Sequence, residues 1–131
     1  MIVVDTNVVA YLLLPGPHTA LVDDLLIQQP EWAAPPLWRS EWRNVLAGYL
    51  RRGVLNLDQA LALQQQAEHL VIRHEEPVSS QAVLQLVASS RCSAYDCEFV
   101  AAAQQLRVPL VTADRAVLSA FPDVARPLVL T

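Results

Sequence analysis

Short β-branched runs alternate along this chain with stretches whose apolar residues recur at helical spacing, and that alternation narrows the fold more than any other feature of the sequence. Ile2-Val3-Val4 and Leu110-Val111-Thr112 read as buried strands. Trp32-Ala33-Ala34, Leu70 to Arg73 and Leu128-Val129-Leu130 read as further short strands, the last at an edge. Helices are expected over Thr6 to Leu14, Thr19 to Gln28, Leu37 to Arg52, Leu57 to about His69, Ser79 to Ser89, Ala94 to Leu106 and Arg115 to Phe121. Their ends carry local signals. Pro15-Gly16-Pro17 stops the first, Pro36 lies near the start of the third with Gly53 past its end, and Asn56 or Asp58 caps the fourth. Strands and helices in this order predict an α/β fold with a parallel sheet and helices on both faces. At 131 residues the chain makes one domain, 1–131.

Composition excludes several function classes. Hydrophobic residues reach 53% against 17% charged, the reverse of a disordered chain. The longest unbroken apolar run, Val8 to Leu14, is far short of the roughly 18 residues a membrane crossing needs. No export signal is visible, so the expected location is the cytoplasm. Glycine is rare and no phosphate-cradling glycine loop occurs. Cys92 and Cys97 fit no zinc or redox spacing and read as reduced, buried thiols, and the three histidines are scattered. The net charge is −4, and all nine basic residues are arginine. Any contact with nucleic acid must then rest on a local arginine patch, with Arg39, Arg43, Arg51, Arg52, Arg91 and Arg115 as candidates beside the plain reading of surface arginines. The apolar excess suggests self-association.

Ligand sites in parallel sheets gather at the carboxyl ends of strands. Asp5 directly follows the first strand, and Asp114 follows Leu110-Val111-Thr112 with one residue between. Each has a second reading as the N-cap of the next helix. Two more acids are informative through helical phase, at about 100° per residue. Asp96 falls within the apolar stripe of Phe99, Val100, Ala103 and Leu106, whereas Glu98 projects to the opposite side and reads as an ordinary solvated glutamate. Glu41 shares an edge of its helix with Leu37 and Val45, which also suits a core-boundary glutamate paired with an arginine. Carboxylates on apolar faces need a counter-charge, a proton or a metal. If Asp5, Glu41, Asp96 and Asp114 converge, a divalent cation relieves their repulsion, and an all-oxygen site without His or Cys selects Mg²⁺ or Mn²⁺. Asn7 and Thr112 lie on the same rim, placed to orient a carboxylate or a water, or simply to serve as turn and strand residues. A cation so held suits phosphodiester hydrolysis.

Four blocks carry a resemblance to a known family: Val3-Val4-Asp5-Thr6-Asn7-Val8, Glu41 followed by Asn44-Val45-Leu46, Ser93-Ala94-Tyr95-Asp96, and Leu110-Val111-Thr112-Ala113-Asp114. In this order, over essentially the whole chain, they resemble the PIN domain and more narrowly the VapC-type toxins of toxin–antitoxin pairs. The resemblance implies a three-layer α/β/α fold with a central, mainly parallel sheet, and an Mg²⁺- or Mn²⁺-dependent endoribonuclease. It implies Asp5, Glu41, Asp96 and Asp114 as the catalytic quartet, with Asp5, Asp96 and Asp114 on the metal and Asn7 and Thr112 in support. Arg39, Arg43, Arg91 and Arg115 stand as candidates for substrate phosphates. The implied partners are an RNA substrate, a second copy in a homodimer, and a small cognate antitoxin that places a basic side chain in the acidic pocket. Two other readings compete. A catalytically silent PIN-fold regulator that binds RNA or protein is disfavoured by the presence of all four acids. An aspartyl-phosphate phosphatase is disfavoured because Asn7 stands where a second acid is needed and the chain has no lysine.

Overall fold

The computed structural model describes residues 1–128. Its sheet is built from β1 (Ile2–Val4), β2 (Trp32–Ala34), β3 (Ile72–Glu75), β4 (Leu110–Thr112) and β5 (Ala125–Pro127). The strand order is β3-β2-β1-β4-β5 and every pairing is parallel. Seven α-helices join them: α1 (Thr6–Leu13), α2 (Thr19–Gln28), α3 (Trp38–Arg51), α4 (Leu57–Gln66), α5 (Ser80–Ala88), α6 (Ala94–Leu106) and α7 (Arg115–Ala120). Helices α1 to α4 pack together, as do α5 and α6. The right-handed crossover rule sends the first group to one face of the sheet and the second to the other, because the chain reverses its direction across the sheet after β3. The expected three-layer parallel fold is the one observed.

All residues of β1, β2 and β4 are buried, as expected of strands covered on both faces. The core continues into α3 through Trp38, Trp42 and Leu46, one helical stripe at i, i+4 and i+8. It continues into α6 through Cys97 and the run Phe99 to Ala103.

Two expectations are corrected. The helix expected to reach His69 stops at Gln66 and passes into a π-helical turn, Ala67–Val71, so β3 begins at Ile72 and not at Leu70. The wider turn buries Ala67 and Val71 and leaves Leu70 65% exposed, so Leu70 cannot belong to a covered strand. The last strand among the described residues is Ala125–Pro127, ahead of Leu128, where a strand was expected to begin. Its pairing with β4 is at the sheet edge, where a proline is tolerated, and Leu128 is buried just beyond it. Val129 and Leu130 lie outside the described residues.

Candidate active site

The strand order reverses between β1 and β4, which makes their carboxyl ends the switch point where sheets of this kind bind ligands. Register sets the depth of the site. Val3 pairs with Leu110 and Val4 with Val111, so Asp5 comes level with Thr112, and Asp5 N–H donates to Val111 O at 3.3 Å. One cavity of about 410 Å³ opens there, and Asp5, Glu41, Asp96 and Asp114 all line it, with Asn7, Thr112, Ser40, Asn44 and Tyr95. Among the described residues, no arginine or histidine lines it. The four acids expected from the sequence are therefore brought together, each partly buried.

Each carboxylate is held by its local element. Asp5 is both a cap and a site residue: Oδ1 accepts from Val8 N–H at 3.1 Å, and Oδ2 accepts from the Thr112 hydroxyl. Thr112 is buried, and its Oγ1 accepts from Asp114 N–H at 3.0 Å, so one hydroxyl ties the ends of β1 and β4 together. Asp114 Oδ1 caps α7 through Ala116 N–H at 2.8 Å and Val117 N–H at 3.1 Å. Ser93 caps α6 by accepting from Asp96 N–H at 3.1 Å, which starts the helix in the phase that points Asp96 at the cavity. On α3, Leu37, Glu41 and Val45 form a stripe along the cavity wall.

Burial and mutual charge act on these groups together. Asp5 has a raised pKa, chiefly from burial; the bonds from Thr112 and Val8 oppose the rise and the charge of Asp114 adds to it. Burial raises Glu41, and Asp96 and Glu98 raise it further. Burial and the charge of Asp114 raise Asp96. Each proton would be held more tightly than in water, the mark of negative charge without a local counter-charge.

Two sequence readings change. Glu98 is half-buried and not an ordinary solvated glutamate; burial raises its pKa and its charge reaches Glu41, although it does not line the cavity. Arg39 does not face the site. Its guanidinium is held by Glu68 at 2.7 Å and Glu75 at 2.7 Å, and Arg43 Nε donates to Arg39 O. Arg91 and Arg115 are exposed and lie outside the cavity wall. Thr6 was not singled out from the sequence. It is buried, and its hydroxyl donates to Glu41 Oε1 at 2.7 Å. Its place between Asp5 and Asn7 was the available signal, since α1 packs against α3 and Thr6 there reaches Glu41. Thr6→Val is expected to raise the pKa of Glu41 further in metal-free protein, because burial then acts without the opposing hydrogen bond. A ¹³C-carboxyl NMR titration checks this, and an unmoved Glu41 would show the bond to be unimportant.

Among the described residues, no three His, Cys, Asp or Glu side chains stand close enough to hold one ion together. The chemistry of the wall nonetheless suits a hard divalent cation: four carboxylates, hydroxyl and amide oxygens, and no nitrogen or sulfur ligand. No helix among the described residues is long and apolar enough to cross a membrane.

Known structures share this architecture. PAE2754 from Pyrobaculum aerophilum matches with a TM-score of 0.78 and 20% identity, over 97% of this chain and 88% of that one. FitAB bound to an IR36 DNA fragment matches with a TM-score of 0.74 and 20% identity, over 100% of this chain and 98% of that one. FitAcB from Neisseria gonorrhoeae matches with a TM-score of 0.67 and 23% identity, over 95% of each chain. At these identities the likeness shows the fold. No curated protein matches the sequence. The family model of the PIN domain, however, matches residues 2–126, nearly the whole length, and the chain belongs to that family.

Proposed function

We propose that this protein is an Mg²⁺- or Mn²⁺-dependent endoribonuclease that hydrolyses RNA phosphodiester bonds, the toxin of a type II toxin–antitoxin pair acting in the cytoplasm. One observation carries the reading: four partly buried carboxylates face a single cavity that, among the described residues, no basic side chain lines. PIN domains are generally nucleases, and the four sequence blocks with their VapC-type likeness supply these acids.

Asp5, Asp96 and Asp114 are the residues that would hold the cation. When bound, it supplies the positive charge and Lewis acidity that a phosphodiester needs to accept attack by water. The chain's own groups prepare the rest. Thr112 fixes the rotamer of Asp5 and the backbone ahead of Asp114. Thr6 takes up Glu41 Oε1 and leaves Oε2 for a proton, and the raised pKa of Glu41 suits it to proton transfer. Asn7 and Asn44 place amides beside the acids. Arg91, shortly before α6, and Arg115, next to Asp114, are the arginines we assign to flanking phosphates. An antitoxin would silence the site by placing a guanidinium among the acids. Exposed apolar side chains on α4, Leu57 and Leu61, suit the pairing of two copies.

The test is cleavage of end-labelled single-stranded RNA by purified protein with Mg²⁺, with Mn²⁺ and with chelator. Cutting with either metal and none in chelator is expected. No cutting in any buffer would leave a binding-only regulator as the better account.

Stability gives a second readout. In chelator, the raised carboxylates contribute stability that is full below their unfolded pKa values and is lost as pH rises through the folded ones. Melting temperature is therefore expected to climb as pH falls from 7 toward the ordinary carboxylate range. Glu75, lowered chiefly by its hydrogen bond from Arg39, and Glu76, lowered chiefly by His74, oppose this only below their ordinary 4.5. At pH 7, Mg²⁺ at tenfold over its Kd should raise the midpoint by about 5 °C. Calorimetry at several pH values checks both, and a flat response to pH and metal would mean that the acids do not strain one another.

A further inference from the structure

A second cavity of about 320 Å³ lies in the same groove as the acidic one. Asn7 and Val45 line both. The α3 stripe that carries Leu37, Glu41 and Val45 past the acids continues at the same spacing to Tyr49 in the second cavity. The facing α1 stripe runs from Asn7 through Ala10 and Tyr11 to Leu14. Glu41 and Tyr49 are eight residues apart on one helix, about 12 Å along its axis. A polymer lying over the acids along this groove meets the second cavity next.

The walls change character over that distance. Among the described residues, no carboxylate lines the second cavity. Three aromatic side chains line it instead: Tyr11, His18 and Tyr49. Tyr11 and His18 pair with ring centroids 4.5 Å apart and planes inclined by 39°. The guanidinium of Arg52, an exposed residue, lies over the Tyr49 ring at 4.6 Å. The turn that closes the cavity is pinned. Thr19 Oγ1 donates to Tyr11 O at 3.1 Å and accepts from Gly16 N–H at 3.2 Å, between two prolines. The rings therefore have a preformed position.

We propose that this cavity receives an unpaired nucleobase of single-stranded RNA, beside the phosphate that is cut, and that Tyr49, Tyr11 and His18 supply the stacking faces. The inference rests on the ribonuclease reading. Flat aromatic walls accept the face of any base, the Asn7 amide at the junction can bond a base edge or a ribose hydroxyl, and Arg52 meets an adjoining phosphate. The base-sized aromatic pocket also gives a chain of net charge −4 a source of RNA affinity that does not depend on a broad basic surface.

Abasic scanning tests this. Single-stranded oligoribonucleotides carrying one abasic residue at successive positions are cleaved in Mg²⁺ by wild-type protein and by Tyr49→Leu, Tyr49→Phe and His18→Ala. For wild type, one abasic position near the cut is expected to raise KM about tenfold. In Tyr49→Leu that penalty should vanish while KM for the intact strand rises by a similar factor, and Tyr49→Phe should restore both. His18→Ala, at an exposed position, should show a smaller loss of the same kind without risk to the fold. If wild type cuts and the abasic penalty persists unchanged in Tyr49→Leu and His18→Ala, the base site is overturned. If those variants cut like wild type but lose a co-purifying polypeptide, the cavity is a protein-docking groove and the proposal is equally overturned. If wild type cuts no RNA with metal, the ribonuclease reading itself fails, and the base site with it.

Discussion

Asp5→Asn and Asp96→Asn are each expected to lower metal-dependent RNA cleavage by about a thousandfold while leaving the protein folded. The two side chains reach the same cavity from different elements, one beyond a strand and one in the first turn of a helix. Each substitution keeps shape and removes one negative charge. Asparagine at position 5 still offers an oxygen to Val8 N–H or to Thr112, so capping survives. In chelator at pH 7, Asp5→Asn should melt at a higher temperature than wild type, because burial and the charge of Asp114 both work against the charged carboxylate. Loss of activity with gain of stability separates a functional role from a structural one. Glu98→Gln is the comparison. Glu98 acts on Glu41 only through space and does not line the cavity, so its loss should change the rate by less than about tenfold. Equal losses in Asp96→Asn and Glu98→Gln would refute the assignment by helical phase.

Trp42→Ala should destabilise the protein by about 3–5 kcal/mol, a large part of the roughly 5–15 kcal/mol typical of a domain. Trp42 is fully buried, one residue beyond Glu41, and with Trp38 and Leu46 it seats α3. Its Nε1–H finds no acceptor among the described residues. The neighbouring indole of Trp38, by contrast, donates to Glu75 Oε2 at 3.1 Å. Trp42→Phe keeps most of the ring volume and removes the unpaired donor, so it should cost less than about 1.5 kcal/mol. Urea unfolding of the two variants measures the difference. Equal costs would show that the indole N–H is satisfied in solution. Trp42→Ala should also weaken cleavage in the fraction that stays folded, since the helix that presents Glu41 loses its seat.

The candidate site was legible where local pattern carries it. Asp5 and Asp114 follow apolar runs, and the phase of Asp96 against Phe99, Val100 and Ala103 is simple helix geometry. Phase misjudged Glu98 because α6 has little wet face: Cys97 and Phe99 to Ala103 are all buried, so even the side opposite the acidic stripe is half covered. Arg39 looked free because its partners, Glu68 and Glu75, belong to the π-helical turn and β3, 29 and 36 residues away. Thr6 was hidden for a similar reason, since Glu41 is 35 residues away. The strand Ala125–Pro127 was hidden because an edge strand does not need the apolar run that marks a central one.

The amino-acid sequence by itself determined which segments are strands and helices, where most of them stop, and which carboxylates stand at strand ends or on apolar helix faces. These are matters of periodicity and capping within a dozen residues. Only the tertiary structure decided that the four acids line one cavity. Asp5 and Thr112 are 107 residues apart, and what joins them is the parallel pairing of β1 with β4 after the chain crosses from β3 to the other side of the sheet. That pairing is chosen by burial of the whole sheet between two helical layers, a condition that no local stretch of the chain contains.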